Sequence, residues 1–85
     1  MVVAMSAYDF YGVAKRIARK LSEVGHTEWS ERILNAIASG STATEILMAI
    51  RWHLSELRTS KLALPPQLEA KIEDLLDNID HAMKQ

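Results

Sequence analysis

Three histidines and a handful of helically spaced acids are the only residues in this chain whose types and spacing could hold a metal or move a proton. His81 follows Asp77 by one turn, and His53 precedes Glu56 by three residues, so each pair could offer two ligands from one helical face. A catalytic zinc site takes three protein ligands, and neither pair nor His26 forms the two-histidine helical motif of a zinc protease. The chain has no cysteine, which removes thiolate ligands, disulfides and a cysteine nucleophile. It also lacks a glycine-rich phosphate loop, a serine elbow and any acid pair whose burial the pattern would foretell. Glu28 and Glu31 fit better as acids at the positive end of a helix dipole. A non-enzymatic protein without metal or cofactor is expected.

Binding is the chemistry that remains, and charge offers the first surface. Glu69, Glu73 and Asp77 recur every four residues, flanked by Asp74 and Asp80. Like charges at that spacing cost a helix roughly 0.2–0.5 kcal/mol per pair. One account is a solvated outer face, neutralised in part by Lys71 and by the basic segment Lys15, Arg16, Arg19 and Lys20. The other is a docking surface for a basic partner, as an immunity-type inhibitor of a basic bacterial toxin would need, where acidic charge speeds encounter. A formal net charge of -1 argues against a protein whose main work is neutralising phosphates.

The second surface comes from the stretch "EILMAIRWHLSEL", Glu45 to Leu57, which is apolar on more than one side. On a helical wheel Ala43, Ile46, Leu47, Ile50, Leu54 and Leu57 share an arc of about 100° and make a core face. Met48 and Trp52 lie nearly opposite, one turn apart, with Arg51, Ser55, Glu56 and Arg58 around them. An aromatic anchor in a polar rim has the composition of an interface hot spot, formed with a second copy or with a different protein. Covering ~100 Å² of tryptophan would contribute on the order of 2.5 kcal/mol. The competing account is a central helix packed on both sides, with Met48 and Trp52 as ordinary core.

A helix-turn-helix regulator is the third possibility weighed. Ala36, Gly40 and Ile46 have the spacing of the small, turn and core residues of that motif. The helix that would enter the groove, however, starts Thr42, Ala43, Thr44, Glu45 and goes on to Leu47 and Met48, which gives few base-reading groups. Ser41 is polar where the motif usually has an apolar residue. Nucleic acid is therefore not the expected partner.

These surfaces need elements to carry them, and the pattern specifies four helices. Two prolines, three glycines and no alternating strand pattern favour an all-α reading. The first helix spans about 7–24, opened by a capping box of Ser6 and Asp9 and closed by Gly25. Its stripe is Phe10, Ala14, Ile17, Leu21 and Val24, widened by Tyr11, Val13 and Ala18. The second spans about 28–39, capped by Thr27 and ended by Gly40, with Trp29, Ile33 and Ile37 stacked and Leu34 and Ala36 beside them, deeply packed. The third, about 43–59, opens with the capping box "TATE" of Thr42 and Glu45. After "KLALPP" the fourth, about 66–83, carries Leu68, Ile72, Leu75, Leu76, Ile79 and Met83 on one stripe.

Residues 1–85 thus read as one all-α domain, a compact four-helix bundle or angled helical array. Residues 1–5 stand outside the pattern as a disordered or extension segment, with Met5 a candidate natural start. "MVVAM" is too short for a signal peptide, and no run approaches the roughly 18 apolar residues of a membrane span. Absence of cysteine fits a reducing, cytoplasmic setting. A core this small gains from association. The expected function is protein contact, above all self-association as a homodimer through Met48, Arg51, Trp52, Ser55 and Glu56. The acids Glu69, Glu73, Asp77 and Asp80 form the second candidate surface.

Overall fold

The computed structural model describes residues 8–84. It is all-helical, with α1 at Phe10–Glu23, α2 at Thr27–Ser39, α3 at Ala43–Thr59 and α4 at Pro66–Met83. Each helix packs on its neighbour in sequence, and α4 closes back onto α1. Arg51 meets Asp80 while Arg58 meets Glu73, so α3 and α4 run in opposite senses. No helix among the described residues is long and apolar enough to cross a membrane.

Cap chemistry sets the ends. The Ser6 cap and the extension assigned to residues 1–5 lie outside the described residues. The cap that α1 shows is Asp9, whose carboxylate accepts from the Gly12 N–H at 3.0 Å, so the helix starts three residues later than expected. At the far end Gly25 adopts φ 94°, His26 N–H donates to the Leu21 carbonyl and Gly25 N–H to that of Ser22. That is a Schellman closure, which favours glycine at the left-handed position.

Thr27, expected as a cap, is instead the first helical residue of α2, and His26 stands at the cap without a side-chain hydrogen bond. Asp9→Ala should therefore cost about 1 kcal/mol in denaturant unfolding and Thr27→Ala only a few tenths. Equal losses from the two would show that the caps are misassigned.

At α3 the expected box is present. Thr42 Oγ1 accepts from Glu45 N–H at 3.1 Å, and the Glu45 carboxylate accepts from Ser41 N–H at 3.0 Å. Helix α3 ends at Thr59 with Ser60 as its cap, and Lys61 just beyond takes φ 59° without being glycine. Gly40 sits where α2 turns into α3, and a Cβ there would collide with Ile46 Cγ1. The close approach of Gly40 and Ile46 is thus a packing requirement of this corner.

The core is built from Ala14, Ile17, Ala18, Leu21, Ile33, Ala36, Ile50, Leu54, Leu57, Leu68, Ile72, Leu75, Leu76 and Ile79. Small residues on α1 (Ala14, Ala18) and α2 (Ser30, Ala36) are all buried and let these two helices approach closely. This rotates α2 from the expected orientation: Ser30, Ile33 and Ala36 face inward, Trp29 and Ile37 are half-buried, and Leu34 is exposed. The helix is less deeply packed than its apolar content suggests, because among the described residues α1 and α3 are its main neighbours. Val24 and Ala43, expected in the core, lie at helix ends and are exposed, and Met83 lies at the rim.

Between α1 and α4, the Tyr8 hydroxyl donates to Asp74 at 3.0 Å. Burial, and then this bond to a carboxylate, push the hydroxyl up to about 12.

Candidate functional site

Helix α3 buries one side and leaves the other open. Ile50, Leu54 and Leu57 are buried and Ile46 and Leu47 are half-buried, while Met48 is 56% and Trp52 59% exposed. The described residues leave more than half of each of these two residues uncovered. Leucine and isoleucine fill the arc facing α2 and α4, and the remaining arc is left to solvent.

Arg51 and Asp80, which the sequence assigns to different surfaces, are joined. The Arg51 Nε–H donates to Asp80 Oδ1 at 2.6 Å, across α3 and α4. Arg58 approaches Glu73 at 3.8 Å along the same seam. Met48, Arg51, Asp80, Met83 and Lys84 line one hollow between the two helices. Met83, expected in the core, thereby extends the apolar patch around Met48. Ser55 and Glu56 are exposed beyond Trp52.

The acidic face differs from its expected form. Its neutralising cations come from α3, through Arg51 and Arg58, whereas Lys71 forms no ion pair among the described residues. On α1, Arg16 lies near Asp9 at 3.9 Å and Lys20 near Glu23 at 3.5 Å, so these cations are engaged locally. Glu69 and Asp77 remain without an ion pair among the described residues, while Glu73 and Asp80 are engaged. All these pairs are exposed and individually contribute little stability. Their importance is that they flatten the field along the α3–α4 seam.

His53 is the residue whose setting the sequence did not disclose. It lies beneath Trp52, with ring centroids 5.0 Å apart in an edge-to-face contact. Its Nδ1 is buried with no hydrogen-bond partner. From α2, Arg32 stacks over Trp29 at 4.4 Å, bonds Glu28 at 3.0 Å and projects positive charge toward the imidazole. Burial first, then Arg32, hold the His53 pKa below 6.5, against a smaller opposing pull from Glu56.

A base whose folded pKa is depressed gives its stability above the unfolded value and loses it as pH falls through that value toward the folded one. His53 should accordingly titrate below 6.5 by NMR, and Arg32→Ala should move it upward. An unchanged His53 midpoint in that variant would remove Arg32 as a cause.

Among the described residues no three histidine, aspartate or glutamate side chains gather where they could hold a metal. The arrangement offers an apolar patch, Met48 and Trp52, with a rim of both charges. No protein-family model, no curated protein and no solved structure matches this chain.

Proposed function

We propose that this protein acts through protein contact, pairing with a second copy of itself through the exposed side of α3. The observation that carries the proposal is the adjacency of Met48 and Trp52, both more than half exposed, with Met83 extending the patch. Methionine and tryptophan are large, adaptable or rigid apolar groups typical of interface centres.

The rim supports a second copy over an unlike partner. An isologous contact sets a patch against itself, so a patch of one sign repels its twin. Around Met48 and Trp52 both signs are present, Arg51 and Arg58 with Asp80, Glu73 and Glu56, and four of these five are already paired. The outer faces of α1 and α4 are closer to single-signed and less suited to self-pairing.

Among the described residues these ion pairs engage Glu73 and Asp80 and leave Glu69, Asp74 and Asp77 without a cation, which weakens the field an inhibitor of a basic toxin would rely on. At the start of α3, the Thr42 hydroxyl and the Glu45 carboxylate are occupied as caps. A DNA groove would therefore meet an acid there, which gives the helix-turn-helix alternative little support.

Sedimentation at high micromolar concentration should give a mass near twice 9.6 kDa. A single species at the monomer mass would overturn the proposal.

A further inference from the structure

We propose that His53 makes the exposed side of α3 acid-sensitive: once protonated, the imidazole leaves the α2–α3 junction, the Trp52 indole loses the surface it rests on, and the pairing proposed above weakens. The last step rests on that self-association reading, and the first two concern a single chain.

The junction accommodates a neutral imidazole and opposes a charged one. His53 is half-buried, and its Nδ1 is shut away from solvent with no hydrogen-bond partner. A neutral ring can leave that nitrogen bare, with its proton on Nε2. An imidazolium carries N–H on both nitrogens, so protonation puts a donor where nothing accepts it and where water does not reach.

The neighbouring charges act in the same direction. Arg32 of α2 directs its charge at the ring and is held in place, because its guanidinium lies 4.4 Å from the Trp29 ring centre and bonds Glu28 at 3.0 Å. On α3 the charged group that bears on the ring is Glu56, three residues on, exposed and without an ion pair among the described residues. A carboxylate at that spacing can receive an imidazolium that has swung out of the junction. Two positions of one side chain follow, neutral beneath Trp52 and charged beside Glu56.

Trp52 senses which position is filled. Its ring meets that of His53 edge to face, with centroids 5.0 Å apart, and 59% of the residue is open to solvent. With so much of it open, the imidazole is a principal support of the indole. An anchor without that support must be ordered afresh on pairing, and the ordering lowers affinity.

The chain has two tryptophans, so the response can be read residue by residue. In nitrogen–proton NMR spectra of a dilute, monomeric sample, the Trp52 indole N–H is assigned by its loss in Trp52→Phe. It should move with the same midpoint as His53, below 6.5. Between about pH 7.5 and about pH 5 the dissociation constant of the pair should rise about five- to tenfold, as follows when the His53 midpoint is about one pH unit lower in the paired chain than in the free one. Arg32→Ala should carry both transitions upward together, and His53→Gln should abolish both.

A Trp52 signal that stays fixed while His53 titrates overturns the switch and leaves self-association standing. A His53 midpoint above 6.5 does the same, since the imidazolium would then be held against the indole. A dissociation constant indifferent to pH, with Trp52 moving, overturns the effect on pairing. A wild type that is monomeric at every pH overturns self-association itself, and the Trp52 signal, read in the monomer, still decides the switch.

Discussion

Trp52→Ala should sediment as a monomer at concentrations where the unaltered chain approaches twice 9.6 kDa. The expected size of the effect follows from symmetry. Trp52 is 59% exposed in the single chain, so contact with a second copy has most of an indole left to cover. Covering ~100 Å² of it contributes on the order of 2.5 kcal/mol. A two-fold interface contains the residue twice, and the substitution removes on the order of 5 kcal/mol per dimer, a loss of several thousandfold in affinity. Met48→Ala removes less surface and should weaken association by a smaller factor. An unchanged dissociation constant in Trp52→Ala would end the case for this face.

Leu54→Ala is the counterpart on the buried side of the same helix. Leu54 has no exposed surface and stands in the core with Ile50 and Leu57. Removing its side chain forfeits transfer free energy and leaves a cavity, at a cost of about 2–5 kcal/mol. For a domain of this length total stability is about 4–13 kcal/mol, so the loss is a large share of it. At about 4–8 °C per kcal/mol the melting midpoint should drop by roughly 8–40 °C. Met48→Ala, measured at concentrations where the chain is monomeric, should shift stability by less than about 0.5 kcal/mol. Equal shifts in the two variants would mean that the faces of α3 have been assigned the wrong way round.

The division of α3 into two faces was legible because it depends on one helix alone. A hundred degrees per residue separates Leu54 from Trp52 whatever lies around them, and Thr42 with Glu45 marks where counting begins. Helix α4 was legible for the same reason, with two prolines marking its start.

What the pattern could not disclose depends on neighbours. Ser6 and Asp9 are both capable caps, and local chemistry alone does not rank them. Whether Leu34 or Ser30 turns inward on α2 depends on how closely α1 approaches, which small residues on both helices decide. The Arg51–Asp80 pair depends on the register between α3 and α4, which no single-helix wheel contains. His53 looked like a stray metal ligand because its relation to Arg32 and Trp52 exists only once α2 and α3 are in place.

The ring of contacts also shapes how the chain reaches this structure. Three of its four helix interfaces join consecutive elements, α1 to α2, α2 to α3 and α3 to α4, so most of the assembly proceeds through short-range closures. Such topologies fold quickly, on the order of microseconds to milliseconds, because little loop entropy is lost before contacts form. The exception is the interface of α4 with α1, which brings residues as far apart as Tyr8 and Asp74 together. That closure spans the longest loop of the four interfaces and so costs the most chain entropy, and the contacts of α4 with α3 bring the two ends of that loop nearer before it forms.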